Sequence, residues 1–306
     1  MTLTEEAVKS TVRVAAVQAE GVYFDLNGAV DKTCRLIEEA ARKGVDLIAF
    51  LEVWIPMYPG WIWQRLIDFG KVGEYMKHSL RRDGPEMAKI QNCAATHRIA
   101  ISLGYSENHN NSLYLPQSVI GKDGEIKMLR RKSKPTHAER TIYGDGSGAS
   151  LLNVVDEPGL GKPLLRYHTY SQGEQIHVAA WPPMNYYNSV PEGSALWSQC
   201  REGGAQLVDH ARDRGQLLWD RCDEAGEWEV IPHSRRRVCG HQRPDGRKLT
   251  EDLDETEEGL LIADLDFAEI QKVKAILDVH GHYSRPDLLW LGVDYCEKKQ
   301  VRPAHD

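Results

Sequence analysis

Apolar and polar positions change period twice within the first fifty residues. Val12-Arg13-Val14-Ala15-Ala16-Val17-Gln18 is a β-branched run of strand length. Beyond it, Val30, Cys34, Ile37 and Ala41 recur at steps of four, three and four, which lays them along one helix face. Gly44 follows, where a left-handed helix cap is usual. Val45 to Phe50 then reads as a short apolar strand, with Glu52 just past its end. Strand, helix and strand of these lengths predict two strands of one sheet with a helix packed outside. In α/β folds, chemistry gathers at the C-terminal ends of strands, where Glu52 stands.

The pattern then turns richer in strands. Ile99 to Gly104 is one. Leu113 to Ile120 and Glu125 to Lys132 flank the turn sequence Gly121-Lys122-Asp123-Gly124 and predict an antiparallel hairpin. His177 to Trp181 is another strand, ended by Pro182-Pro183. Gly259 to Asp264 precedes a helix with Ile270, Val273 and Leu277 on one face. Strands and helices interleave without a Ser/Pro-rich linker, charge block or repeat. The expectation is a single α/β domain over residues 1–306, with a core over about 11–290 and a C-terminal tail over about 291–306.

Composition narrows the classes. The chain has 306 residues, enough to hide about three quarters of its unfolded surface. Its 41% hydrophobic and 27% charged residues argue against disorder. Lys plus Arg is 38 against 45 acidic residues, a net charge of −7, so no basic face for nucleic acid is expected. The longest apolar run, Val53 to Trp63, is 11 residues broken by Pro56, Pro59 and Gly60. A spanning helix needs ~20, so no membrane partner is expected. Met1 to Ser10 is polar and acidic, unlike a signal peptide. Six Cys without C-x-x-C spacing give no disulfide scaffold, and a reducing cytoplasm is expected.

Among polar residues, Glu52 sits between large apolar groups in Phe50-Leu51-Glu52-Val53-Trp54. Buried, it would have a raised pKa and suit a general base; at a solvated strand end it would do nothing. Lys132 ends a strand within Arg130-Arg131-Lys132-Ser133-Lys134. It could stabilise a developing oxyanion, or belong to a solvated basic edge. Gly144-Asp145-Gly146-Ser147-Gly148 lacks a P-loop's Lys-Ser/Thr ending and reads as a turn. His280-Gly281-His282 has no metal-ligand spacing and reads as a loop. No cofactor or metal is expected.

Several longer segments, in order, carry a resemblance. They are residues 12–20, Glu52 to Pro59, Arg131 to Arg140, Tyr143 to Gly146, Gly173 to Pro182, and Gly281 to Asp287. Together they resemble the nitrilase branch of the carbon–nitrogen hydrolase superfamily. The resemblance implies an α-β-β-α sandwich that hydrolyses small organic nitriles to carboxylic acid and ammonia, in a homo-oligomer. It also implies a Cys thiolate nucleophile, with Glu52 as its base, Lys132 as the catalytic lysine and Glu139 as the second glutamate.

Two stretches depart from that pattern. The family's Cys-Trp-Glu block should stand shortly before Pro163 to His168, yet Val155 to Lys162 contains no Cys. None of Cys34, Cys93, Cys200, Cys222, Cys239 and Cys296 has a matching context, and Cys34 falls on the apolar helix stripe. Leu207 to Arg243 shows little strand alternation where further core strands belong. The sandwich is therefore expected to be perturbed at both places. Two functions stand: a nitrile hydrolase impaired by the absent thiol, or a catalytically dead homologue acting as a binding or co-assembly subunit.

Overall fold

A computed structural model describes residues 10–63, 68–154, 163–180, 182, 228–231, 240–251, 253–254 and 256–296. The chain begins with strand β1 (Thr11–Gln18), helix α1 (Leu26–Arg42) and strand β2 (Leu47–Ala49). β1 and β2 pair in parallel, Val14 opposite Leu47, as the β-α-β pattern requires. Asp25 caps α1 by accepting from the Gly28 N–H at 3.0 Å, and Gly44 ends it at φ 73°. The buried face of α1 is Ala29, Val30, Thr33, Ile37 and Ala40, one position round from the stripe read in the sequence, so Cys34 is only half-buried. Thr33 fits inside because its hydroxyl donates to the Ala29 carbonyl at 2.7 Å.

Helices α2 (Phe69–His78) and α3 (Pro85–His97) lead to strand β3 (Ala100–Gly104), parallel to β2. The expected hairpin strand Leu113 to Ile120 divides in two. Ser112–Tyr114 (β5) pairs with β4 (Glu107–His109) across Asn110-Asn111, both at positive φ, in a small separate sheet. Pro116–Ile120 (β6) joins β3 and β7 (Ile126–Arg131) in the main sheet. Pro116 offers no N–H to continue the ladder, which is where the strand changes sheets.

Further on lie β8 (Tyr143–Gly144), α4 (Pro163–Ser171), β9 (Ile176–Val178), β10 (Trp228–Ile231), β11 (Gly240–Gln242), β12 (Gly259–Asp266) and α5 (Ala268–Ile276). The main sheet runs β12-β1-β2-β3-β6-β7, and β11-β10-β9 forms a second. β10 and β11 fall inside the stretch read as poor in strands. Little of it shows alternation, but Val230 is fully buried against Val178 and Ala16. The parts of that stretch at 207–227 and 232–239 lie outside the described residues, as does 155–162.

Alternate residues of β1 serve two cores. Ala15 and Val17 pack with Ile37, Ala40, Met87 and Ile90 of α1 and α3. Val14 and Ala16 pack with Ile176, Val178 and Val230 of the second sheet. Helices, main sheet and second sheet are thus stacked in the layered α/β arrangement of a nitrilase-like fold. Among the described residues no helix is long and apolar enough to cross a membrane.

β11 buries an imidazole. His241 is 0% exposed, and among the described residues its Nε2 has no hydrogen-bond partner. Burial lowers its pKa from 6.5 to about 4. The unfolded chain therefore takes up a proton below pH 6.5 that the folded chain refuses until about pH 4. This group's contribution is complete above pH 6.5 and falls by about 3 kcal/mol as pH drops through that window. Urea unfolding at pH 7 and 4.5 checks it: His241→Leu should lose less stability on acidification than the unmodified chain. An equal loss would remove His241 as the cause.

Candidate active site

Glu52 leaves β2 on a turn clamped to the end of β3. The Phe50 N–H donates to the Ser102 carbonyl and the Trp54 N–H to the Gly104 carbonyl, both at 2.9 Å. From the helix layer, Thr33 Oγ1 accepts the Trp54 indole N–H at 2.7 Å. Between these anchors Val53 is held at φ 55°, a left-handed conformation that costs a β-branched residue on the order of 1–3 kcal/mol. Gly104 makes the close approach possible. A Cβ there would lie 2.4 Å from the Leu51 carbonyl oxygen and 2.9 Å from Glu52 Cα.

Lys132 follows the last residue of β7. Its N–H donates to the Leu115 carbonyl at 2.6 Å, and its carbonyl accepts from Gly146 at 2.9 Å. The Gly-rich stretch 144–148 therefore includes a brace for the strand end: a Cβ on Gly146 would lie 2.5 Å from the Arg131 carbonyl oxygen. The neighbouring arginines are engaged elsewhere. Arg131 Nε donates to buried Glu107 at 2.7 Å and its guanidinium stacks 3.7 Å over Tyr114. Arg130 donates to Gln117 Oε1 at 3.1 Å.

Glu139 sits in a 3-10 turn, His137–Thr141. Thr136 and Glu139 have the T-x-x-E spacing of a capping box, and the Thr136 N–H donates to Glu139 Oε2 at 2.6 Å.

These three elements bring Glu52, Lys132 and Glu139 together. Lys132 Nζ lies 2.8 Å from Glu52 Oε1, 2.9 Å from Glu139 Oε2 and 3.3 Å from Glu139 Oε1. Side-chain exposures are 15% for Glu52, 20% for Lys132 and 2% for Glu139, so the cluster is shielded yet not sealed. Burial raises the Glu52 pKa; Lys132 opposes the rise, while the Glu139 charge adds to it. For Lys132, burial favours the neutral amine, but the two carboxylates outweigh it and the net direction is upward. The arrangement is a tuned carboxyl beside a firmly cationic ammonium, the pairing that acid–base and anion-stabilising chemistry requires.

Two further residues border it. Tyr58 donates to Glu139 Oε1 at 3.1 Å, and the Trp63 indole donates to Tyr58 Oη at 3.0 Å. Tyr58 lies inside the segment Glu52 to Pro59, and no local pattern signals its contact 81 positions away. Among the described cysteines, Cys34 and Cys93 are half-buried in the helix layer, Cys93 Sγ 3.7 Å from the Cys34 carbonyl, and Cys296 is exposed. Cys200, Cys222 and Cys239 lie outside the described residues. No cluster of three or more potential metal ligands occurs among the described residues, and His280 to His282 lies in a turn.

The sequence pattern of the family described as "Carbon-nitrogen hydrolase" matches residues 13–202. An arylacetonitrilase of Aspergillus kawachii is 45% identical over 321 aligned positions, covering 96% of this chain and 95% of that protein. One of Hypocrea virens is 46% identical over 95% and 94%. Among solved structures, the C. elegans NitFhit protein aligns with TM-score 0.65 at 16% identity, over 95% of this chain and 69% of that one. A double mutant of the amidase from Nesterenkonia sp. AN1 in complex with acrylamide aligns with TM-score 0.59 at 15% identity, over 88% and 96%. The structural likenesses speak for the fold, and the sequence matches decide the family: this chain belongs to the carbon–nitrogen hydrolases, in their nitrilase branch, and is by family an enzyme of that type.

Proposed function

We propose that the site serves nitrile hydrolysis on the arylacetonitrile class, with Glu52 as base, Lys132 as the charge that steadies a developing anion, and Glu139 as the holder of Lys132. The observation that carries this reading is one ammonium shared between two carboxylates, at 2.8 and 2.9 Å. The relatives' arylacetonitrilase activity supports the substrate class. Glu52 is the better base because burial raises its pKa and Lys132 keeps it near the reacting atoms. In the family's route, Glu52 takes the proton of a Cys thiol, the thiolate attacks the nitrile carbon, and Lys132 offsets the charge arising on nitrogen. Water then releases acid and ammonia. The reading includes a cytoplasmic homo-oligomer, on the resemblance and the low cysteine usage.

Covalent turnover in this chain is impaired in the same reading. No cysteine stands between Cys93 and Cys200. The alignment to the A. kawachii relative has 321 positions against 306 residues here, so that protein contains residues with no counterpart in this chain. We assign the thiol-bearing strand to that difference. The same absence favours, as a second reading, a subunit that binds nitrile or assembles with active copies.

Saturation-transfer NMR with phenylacetonitrile, paired with an ammonia assay, tests the reading. The expected result is binding that weakens in Lys132→Met, with ammonia at background. Absence of binding overturns the site assignment. Robust ammonia release with an adduct on one of the six cysteines overturns the assignment of a missing thiol. A gain in ammonia beyond an added active arylacetonitrilase alone selects the co-assembly reading.

A further inference from the structure

Three donors make four contacts with Glu139. Tyr58 and Lys132 reach Oε1 at 3.1 and 3.3 Å; Lys132 and the Thr136 N–H reach Oε2 at 2.9 and 2.6 Å. A carboxylate has about four lone-pair sites, so this one is full. The direction of the Tyr58 bond is fixed from behind. An indole N–H only donates, so Tyr58 Oη accepts from Trp63 at 3.0 Å and its own hydrogen is left for Glu139. Trp63 also stacks on His137, two residues before Glu139, with ring centroids 5.6 Å apart and planes 11° apart. The turn bearing Glu139 is thus gripped by Tyr58 and Trp63 at two points.

We propose that Tyr58, oriented by Trp63, is a positioning residue that keeps Glu139 a saturated acceptor, so that a proton entering the carboxylate pair goes to Glu52. The inference rests on the reading of Glu52 as base and adds a side-chain contact that, with the Thr136 N–H, makes the two glutamates unequal. Among the described residues, the charged and titratable groups that act on the pair are Tyr58, Lys132 and Arg130, with Tyr143 of β8 behind Tyr58. Burial, with the Glu139 charge next, holds the Tyr58 hydroxyl's pKa far above its ordinary value, so it remains a donor. Lys132 contacts both carboxylates and gives no such bias. Tyr58 contacts only one of the pair among the described residues.

The test follows the protons themselves and needs no turnover. In protein carrying 13C at the glutamate side-chain carboxyls, Glu52 and Glu139 are assigned with Glu52→Gln and Glu139→Gln, then titrated by NMR. In the unmodified chain the Glu52 signal should move, with a midpoint above that of an ordinary glutamate. In Tyr58→Phe the Glu52 midpoint should fall by about one pH unit, because the proton is now shared between the two carboxylates. Trp63→Phe keeps an aromatic ring beside His137 and removes the indole N–H with its five-membered ring; it should shift the Glu52 midpoint the same way by less. Trp63 is 42% exposed, so this variant keeps the test alive if Tyr58→Phe does not fold. The double variant should match Tyr58→Phe alone, since Trp63 acts through Tyr58. An unmoved Glu52 midpoint in a folded Tyr58→Phe or Trp63→Phe overturns the proposal. A proton found on Glu139 in the unmodified chain overturns the base assignment itself, a distinct outcome.

Discussion

Insertion of a cysteine-bearing strand between Gly161 and Pro163 should raise ammonia release from phenylacetonitrile by at least about 10⁵-fold. A correctly held nucleophile is worth roughly 7–11 kcal/mol in proximity alone, and each 1.4 kcal/mol is a factor of ten. Water polarised at Lys132 has no such advantage and is a far poorer nucleophile than a thiolate. In the proposed reading the base and the cation are in place, since Glu52 and Lys132 are 2.8 Å apart. In the restored protein, Glu52→Gln should then remove about 10²–10⁴ of the gain, as loss of a general base does. Steady-state ammonia assays, with mass spectrometry for a nitrile-derived adduct, read both steps. No gain in a protein whose unfolding transition is unchanged would sink the idea that only the thiol is missing. Turnover by the original chain that survives replacement of all six cysteines would refute a thiol mechanism altogether.

Lys132→Met should lower stability by about 3–5 kcal/mol at pH 8, the loss seen when one member of a buried ionic cluster is removed. Methionine fills the space but leaves Glu52 and Glu139 facing each other with side chains 15% and 2% exposed. Their mutual repulsion is greatest when both are ionised. The penalty should therefore shrink as pH falls and a proton joins the pair. Adding Glu139→Gln to Lys132→Met should recover part of the loss, because one of the two stranded charges is gone. Urea unfolding at pH 8 and pH 5 reads all three variants. A penalty below about 1 kcal/mol at pH 8 would mean that solvent, not Lys132, neutralises the pair.

Local pattern revealed the strands and helices but not their company. β1, β2, β3 and α1 were legible because periods of two and of roughly three and a half are short-range properties of a sequence. The α1 stripe was misjudged by one position because Thr33 satisfies its hydroxyl on its own helix and then serves Trp54, a use that composition does not reveal. Asn110-Asn111 marks the β4–β5 hairpin but lies between the runs that read as strands, and Pro116 marks the change of sheet inside the run Leu113 to Ile120. Glu52 and Lys132 are eighty positions apart, and only resemblance paired them; each alone was as consistent with a solvated end. The capping spacing from Thr136 to Glu139 was visible in the sequence, whereas its purpose depends on Tyr58 and Lys132 arriving from elsewhere.

The bare backbone of Gly104 gives the site a mechanical character. A layer of side chains between a functional group and its scaffold can change rotamer and absorb a displacement. Here the end of β3 touches the chain at Glu52 with no side chain between them on the Gly104 side, and the Trp54–Gly104 hydrogen bond ties the two together. A shift of β3 under the helix layer, from a repacked Met87 or Ile90 for example, would reach Glu52 undamped. Tolerance to substitution in that layer should therefore be set by catalytic geometry before it is set by folding.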